Sequence, residues 1–152
     1  MYPTSAEDVS AIIKFAVKYK IDIAVKGGGS NNRPTSSTEG GICIDLSKFK
    51  IVTVEAATKR VTVQGGALWS DVYAAIAPYN LAMAGPVINT VRVGGSSLMG
   101  GYGWLTGKHG TTLDNIVSME MVPTSGEIVH FPNIKMKVSF GLFVELALVL
   151  VL

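Results

Sequence analysis

The sequence has little of what marks several common classes of protein. Cys43 is its only cysteine, which excludes an internal disulfide and a cysteine-based zinc site, and its apolar neighbours predict a buried, inert thiol. The Lys and Arg residues are scattered without a basic stripe, so we expect no nucleic-acid partner. The apolar tail over residues 138–152 is shorter than the roughly 20 residues of a spanning helix and contains Glu145, so we expect no membrane span. No secretory signal is recognisable at the start.

Local patterns predict a mixture of strands and a few helices. Ser5 to Asp8 form a capping-box motif, and apolar residues at helical spacing predict a helix over 6–19. A second helix is predicted over 67–77, ending near Pro78. Alternating or β-branched residues predict strands over 21–25, 42–46, 51–55, 60–64, 81–84, 116–122 and 127–131, with a four-residue turn at 123–126 and irregular chain over 85–113. Runs of strands with few helices indicate an α+β fold.

Glycine is abundant, with 17 among 152 residues, and it is concentrated in two segments. The first begins with Lys26-Gly27-Gly28-Gly29-Ser30-Asn31 after a predicted strand. Its backbone N–H groups can form an anion-binding nest for a pyrophosphate, with Lys26 adding positive charge. The alternative is an ordinary flexible surface loop. Neither G-x-x-x-x-G-K-S/T nor a G-x-G-x-x-G that opens a helix is present in this segment.

The second glycine segment runs from Val93 to Trp104, where two glycine pairs flank a short apolar stretch and aromatic residues follow. Such a segment can lie against a flat, extended ligand. The alternative is a tightly packed turn with Tyr102 and Trp104 in the core. Two glycine-lined segments in one small chain favour a large dinucleotide, with one segment at its phosphates and the other at its planar ring.

Several motifs, in this order along the chain, resemble one known family. They are P-T-S-A-E-D-V at 3–9, V-K-G-G-G at 25–29, G-G-I-C-I-D-L-S-K-F at 40–49, V-Q-G-G-A-L-W-S-D-V at 63–72, V-G-G-S-S-L-M-G-G-Y-G-W-L-T-G-K-H-G at 93–110, T-L-D-N-I at 112–116 and S-G-E-I-V-H at 125–130. Together they resemble the FAD-binding PCMH-type domain of the vanillyl-alcohol oxidase / p-cresol methylhydroxylase superfamily, which includes the berberine-bridge-enzyme-like FAD-linked oxidoreductases. The resemblance covers residues 3 to about 130.

The resemblance implies an α+β fold of two FAD-binding subdomains, over residues 1–50 and 51–131, with the second incomplete and the substrate domain absent. It implies a two-electron oxidation of an organic substrate, usually with oxygen as the acceptor, by a protein of which this chain is a truncated fragment with little or no turnover. Neither a catalytic residue nor a metal site is predicted, and Lys108, His109 and His130 are not expected to be catalytic. The cofactor-binding residues implied are Lys26, Gly27, Gly28, Gly29, Ser30, Asn31, Gly94, Gly95, Gly100, Gly101 and Tyr102.

The chain departs from the family pattern at four positions. Many members carry a histidine that bonds covalently to the flavin where this chain has Ser30, and some carry a cysteine where it has Ile88. The resemblance therefore implies non-covalent FAD. Arg92 and Met99 stand where the family usually has glycine, and we expect their bulk to crowd the cofactor.

Residues 132–152 form an atypical tail, because the resemblance stops after His130. The family continues with a segment like F-W-A-I-R-G-A-G-S-S-F-G-V. Codons for residues 139–152, read in the alternative frame, can encode that segment. We therefore expect a frame-shifted tail, whose apolar character is an aggregation hazard if exposed. The alternative is a native helix or strand that packs on the core.

The sequence leaves two other functions open besides that of a flavoenzyme fragment. One is a non-enzymatic interaction module that keeps the fold and binds no flavin. The other is a complete small reductase that binds a nicotinamide or another nucleotide. Flavin occupancy distinguishes both from the flavoenzyme prediction.

Overall fold

The computed structural model describes residues 1–31, 34–132 and 143–151. Four α-helices and seven strands, with four short 3-10 helices between them, make up its regular structure in this part of the chain. In chain order they are α1 (Ala6–Tyr19), β1 (Ile23–Lys26), β2 (Ile42–Asp45), β3 (Val52–Glu55), β4 (Arg60–Gln64), α2 (Trp69–Ile76), α3 (Val93–Leu98), α4 (Thr106–His109), β5 (Ile116–Pro123), β6 (Val129–Pro132) and β7 (Phe143–Val151).

Helix α1 begins at the predicted residue because the capping box forms. The Asp8 N–H donates to Ser5 Oγ at 3.1 Å, and Asp8 Oδ2 accepts from the Ser5 N–H at 3.1 Å. These bonds satisfy N–H groups that a helix leaves without a partner in its first turn. The helix ends at Lys20, whose φ of 55° is left-handed, and it buries Val9, Ile13 and Ala16. The predicted helix over 6–19 is confirmed.

The first subdomain joins α1 to a parallel pair of strands. β1 and β2 pair in the register Ile23 with Ile42 and Lys26 with Asp45. A small core shared with one residue of β5 holds this layer together: Val9, Ile13, Ile44, Leu46, Phe49 and Val122. Cys43 is only partly buried, and its thiol donates to the Ser36 carbonyl at 3.7 Å, so the prediction of a buried thiol was too strong.

The second subdomain is built on a five-stranded sheet in the order β3-β4-β7-β5-β6, with every neighbouring pair antiparallel. The predicted hairpin of β3 and β4 is present, with Val52 opposite Val63. Helices α2 and α3 cover one face of this sheet through its larger core, which is Val61, Val63, Ala67, Trp69, Val72, Ile76, Met83, Val93, Ile116, Met119, Met121 and Leu150.

Strand β7 comes from the atypical tail and lies at the centre of this sheet. Leu148 is opposite both Val63 of β4 and Met119 of β5, and Leu150 is fully buried. Residues 143–151 of the tail therefore form a strand that lies between β4 and β5 and contributes Leu150 to the core. Its frame-shifted origin stays a prediction, and sequencing the transcript across codons 132–152 tests it.

Three local predictions were wrong. Residues 81–84 form no strand, and the chain over 85–113, predicted as irregular, contains α3 and α4. Strand β6 begins at Val129, so Glu127 and Ile128 belong to a longer turn than predicted. That turn needs a glycine at Gly126, whose φ is +73°. The Gly126 carbonyl accepts a hydrogen bond from Ser10 Oγ on α1.

Candidate functional site

A cleft of about 490 Å³ lies where the two glycine segments approach each other. Volumes of roughly 300–1,000 Å³ are usual for ligand-binding clefts. One wall is the first glycine loop, residues 27–31, and the other is formed by Val91 to Met99. The structure thus brings together Gly27, Gly28, Gly29, Ser30, Asn31, Gly94 and Gly95 from the predicted set.

The first glycine loop leaves the carboxyl end of β1 and belongs to neither a helix nor a strand. Its N–H groups are therefore not committed to a helix or to a sheet ladder and can donate to an anion. Gly29 has a φ of +70°, and a Cβ built on Gly27 would meet no atom within 4 Å. The loop therefore presents bare backbone to the cleft. At its end, Asn31 Nδ2 donates a hydrogen bond to Thr35 Oγ1 at 2.7 Å.

The opposite wall is held by hydrogen bonds to the chain before α2. The Val93 N–H donates to the Ala67 carbonyl at 2.9 Å, and the Gly94 N–H donates to the Gly65 carbonyl at 3.0 Å. Trp69, fully buried beneath this wall, donates its indole N–H to Ser96 Oγ at 2.7 Å. These bonds fix α3 so that Gly95, like Gly27, faces open space.

Lys26 does not line the cleft. Its ammonium lies 3.2 Å from Asp45 Oδ2, at the last matched position of β1 and β2. Partial burial alone would raise the pKa of Asp45, but hydrogen bonds from Ser47 and the charge of Lys26 hold that pKa below its usual value. Lys26 is thus occupied in joining the two strands below the first glycine loop.

The second half of the second glycine segment also lies away from the cleft. Gly100, Gly101 and Tyr102 are not among its lining residues, and the side chain of Tyr102 is 77% exposed. The Gly101 carbonyl instead accepts from the Thr112 N–H and from Thr112 Oγ1, both at 3.0 Å. A Cβ on Gly101, whose φ is +71°, would run into the Thr112 side chain. The sequence could not show that Gly101 has a packing role.

Arg92 and Met99, the two bulky departures from the family pattern, both line the cleft. The stem of Arg92 lies against Gly28, where a Cβ would come within 3.2 Å of Arg92 Cγ, and its guanidinium donates to the Gly66 carbonyl. Met99 is 79% exposed at the rim. Ile88 is exposed and does not line the cleft.

Several lining residues were missed by sequence reasoning. Gly65 lies in the V-Q-G-G-A-L-W motif, which was recognised but not assigned to the site. Val25, Leu46, Ser96 and Leu98 also lie in quoted motifs without having been assigned to the site. Three further lining residues lie outside every quoted motif: Thr35, Ser36 and Val91.

Both histidines of the chain lie apart from the cleft. His130 is exposed and pairs across the sheet with Glu120 at 2.9 Å, and His109 is exposed at the end of α4. Across residues 1–31, 34–132 and 143–151, no cluster of three or more His, Cys, Asp or Glu side chains is placed to hold a metal ion. Within the same residues no helix is both long and apolar enough to cross a membrane.

Bare backbone on both walls of one cleft suits an elongated, phosphate-containing cofactor, because backbone can approach such a ligand closely. The sequence matches the family described as FAD binding domain over residues 1–132. The chain belongs to this family. The predicted resemblance and the α+β fold are therefore confirmed.

Relatives in the family are FAD-linked oxidoreductases. FAD-linked oxidoreductase pgmH of Aspergillus terreus is 34% identical over 129 residues, which cover 85% of this chain and 26% of that protein. (R)-6-hydroxynicotine oxidase of Paenarthrobacter nicotinovorans is 30% identical over 83% of this chain and 28% of its own length. The structure of 6-hydroxy-D-nicotine oxidase from Arthrobacter nicotinovorans superposes with a TM-score of 0.87 and 26% identity, over 97% of this chain and 35% of that one.

The chain spans about a quarter of the length of the curated relatives it matches. It is an FAD-binding domain of the kind found in FAD-linked oxidoreductases. These matches favour the flavoprotein prediction over the alternatives of an interaction module without flavin and of a reductase for another nucleotide.

Proposed function

We propose that the cleft binds FAD non-covalently, between the first glycine loop and the start of α3. One observation carries the proposal: Gly27 and Gly95, from the two glycine segments, line the same cleft, and a Cβ on either would meet no atom within 4 Å. Gly27 to Asn31 would hold the diphosphate through their N–H groups, and Gly94 and Gly95 would lie along the remainder of the cofactor. Gly101 would contribute by packing against Thr112 beside this wall, whereas Gly100 and Tyr102 do not line the cleft.

The non-covalent attachment rests on residue chemistry. Ser30 lines the cleft, and its hydroxyl does not form the bond to flavin that histidine forms in the family. Ile88 has no nucleophilic atom and lies outside the cleft. No covalent link is therefore available from these two positions.

The proposed activity is that of the protein to which such a domain contributes: a two-electron oxidation of an organic substrate, with oxygen as the acceptor. FAD supplies the electron-accepting chemistry when bound, and the protein supplies binding, orientation and electrostatics. The names of the relatives, oxidoreductases and oxidases, support this proposal. This chain's share of the work is to bind and orient the cofactor.

An absorbance spectrum tests the proposal directly. The full chain, incubated with excess FAD and passed through gel filtration, should elute with flavin absorbance. Acid precipitation should leave all of that flavin in the supernatant. Flavin retained in the precipitate would contradict the non-covalent attachment, and a folded but colourless protein would contradict FAD binding itself.

A pair of glycine variants locates the site. Gly95→Leu places a side chain in the cleft without a clash in the protein, since a Cβ there meets nothing within 4 Å. Gly107→Leu is the matched control, because Gly107 is also helical, exposed and free of neighbours, but lies outside the cleft. We expect Gly95→Leu to lose FAD and Gly107→Leu to retain it, with both folded by circular dichroism. If both variants retained FAD equally, the FAD site would lie outside this cleft.

A further inference from the structure

The charge distribution of the cleft is uneven. Among the cleft-lining residues in the described part of the chain, Arg92 carries the only charged side chain. The other lining residues are glycines, small polar residues and apolar residues. Of the lining side chains in the described part of the chain, a doubly charged diphosphate would therefore meet one cation, from a position that the family usually fills with glycine.

The obvious rival for this role is Lys26, which the sequence predicted. Its ammonium is already paired with Asp45 at 3.2 Å, and it lies outside the cleft. Moving Lys26 to a ligand would leave the Asp45 carboxylate, which is largely buried, without its cation. Such a separation is unfavourable, because a buried charge that loses its partner is costly.

Arg92, unlike Lys26, has no ion pair among the described residues. Across residues 1–31, 34–132 and 143–151, no carboxylate lies within ion-pair distance of its guanidinium. The stem packs on Gly28 of the first glycine loop, and one N–H donates to the carbonyl of Gly66, which follows the lining residue Gly65 in the chain. A guanidinium has five N–H donors in a fixed fork, so donors remain for an anion.

We propose that Arg92 binds the diphosphate of the cofactor, as the anion-binding side chain of the cleft. The proposal rests on the proposed FAD function. It reverses the expectation that the bulk of Arg92 weakens cofactor binding. The Gly28 and Gly66 contacts already hold the side chain in the cleft, so little rotamer freedom remains to be lost on binding. Arginine is also suited to bidentate contacts with phosphate oxygens.

The test compares Arg92→Gln, Arg92→Lys and wild-type protein by fluorescence titration with FAD and by competition with ADP, which carries the diphosphate without the flavin. Titrations at about 0.01 M and about 1 M ionic strength change the Debye length from about 30 Å to about 3 Å. Lys108→Gln is the control for net charge, because Lys108 is exposed on α4 outside the cleft. Far-ultraviolet circular dichroism checks the fold of each variant.

We expect Arg92→Gln to weaken FAD and ADP binding by about tenfold or more, the usual range for losing a charge-assisted hydrogen bond. Its salt dependence should be flatter than that of the wild type, and Arg92→Lys should be intermediate. Lys108→Gln should match the wild type. If Arg92→Gln does not fold, Arg92→Lys and the salt dependence of wild-type ADP binding decide the question.

Equal or tighter FAD binding by Arg92→Gln, with an unchanged salt slope, would overturn the assignment and support crowding instead. Wild-type affinity for ADP that is independent of salt would also overturn it. Failure of the proposed function looks different, because wild-type protein would then bind no FAD at either ionic strength.

Discussion

Gly95 and Gly101 belong to the same sequence segment but stand in opposite surroundings. A Cβ on Gly95 would meet nothing within 4 Å, whereas a Cβ on Gly101 would run into Thr112. Gly95 lines the cleft, whereas Gly101 is buried and does not line it. The first glycine leaves room for a ligand, and the second leaves room for the protein itself. One glycine-rich motif can therefore combine a binding role with a packing role.

Among the variants that separate the packing role from the binding role, Gly101→Ala should change the free energy of unfolding most. Its φ of +71° is unfavourable for alanine, and the added methyl group would overlap the Thr112 side chain. A left-handed conformation costs roughly 1–2 kcal/mol and overpacking typically 1–3 kcal/mol, so we expect a loss of about 3 kcal/mol. Urea unfolding without flavin measures it, with Gly107→Ala as control. A loss similar to that of the control would contradict the packing role.

Thr112→Val should have the next largest effect. Thr112 Oγ1 is buried and lies within hydrogen-bond distance of the Ala84 carbonyl at 2.9 Å and the Gly101 carbonyl at 3.0 Å. Valine keeps the shape but leaves these carbonyls without that donor, and we expect a loss of about 2 kcal/mol in urea unfolding.

Thr112→Ser is the matched control, because it keeps the hydroxyl and removes only the methyl group. We expect it to retain most of the stability that Thr112→Val loses. If both variants lost the same amount, methyl packing rather than the hydrogen bonds would hold Gly101 in place.

Sequence reasoning succeeded where structure depends on neighbours along the chain. The capping box at Ser5 and the hairpin of β3 and β4 are local patterns, and both are present. It failed for α3, since a helix containing Gly94 and Gly95 has poor intrinsic propensity and is held by bonds to Ala67 and Gly65. No local pattern shows which strands flank β7.

The candidate site follows the same division. The sequence located the first glycine loop and the Gly94–Gly95 pair, which the structure brings to one cleft. It could not show that Lys26 pairs with Asp45, because these residues meet only through the pairing of β1 with β2; a contact of Lys26 with the cofactor stays a prediction. It also read Arg92 only as a departure from a pattern, because its contacts with Gly28 and Gly66 are long-range.

Asp45→Asn tests how much the ion pair of Lys26 with Asp45, below the first glycine loop, contributes to stability. We expect a smaller loss than that of Thr112→Val. Loss of the ion pair with partly exposed Lys26 should cost about 1 kcal/mol at neutral pH. The pKa of Asp45 is lowered in the folded protein, so its contribution is present above the ordinary pKa of about 3.9 and is lost as pH falls through the folded-state value. The unfolding free energies of wild type and Asp45→Asn, measured in urea from neutral to acidic pH, should therefore converge below the folded-state pKa of Asp45. A constant difference would assign the effect to packing.

Gly95→Ala should have the smallest effect on stability, and with the sign opposite to that of Gly101→Ala. Alanine gains roughly 0.5–1 kcal/mol over glycine inside a helix, and at Gly95 the methyl group meets no neighbour. We therefore expect a small increase in unfolding free energy without flavin, together with weaker FAD binding because the methyl group enters the cleft. If Gly95→Ala lost stability as Gly101→Ala does, both glycines would serve packing, and the cleft would lose its support as the cofactor site.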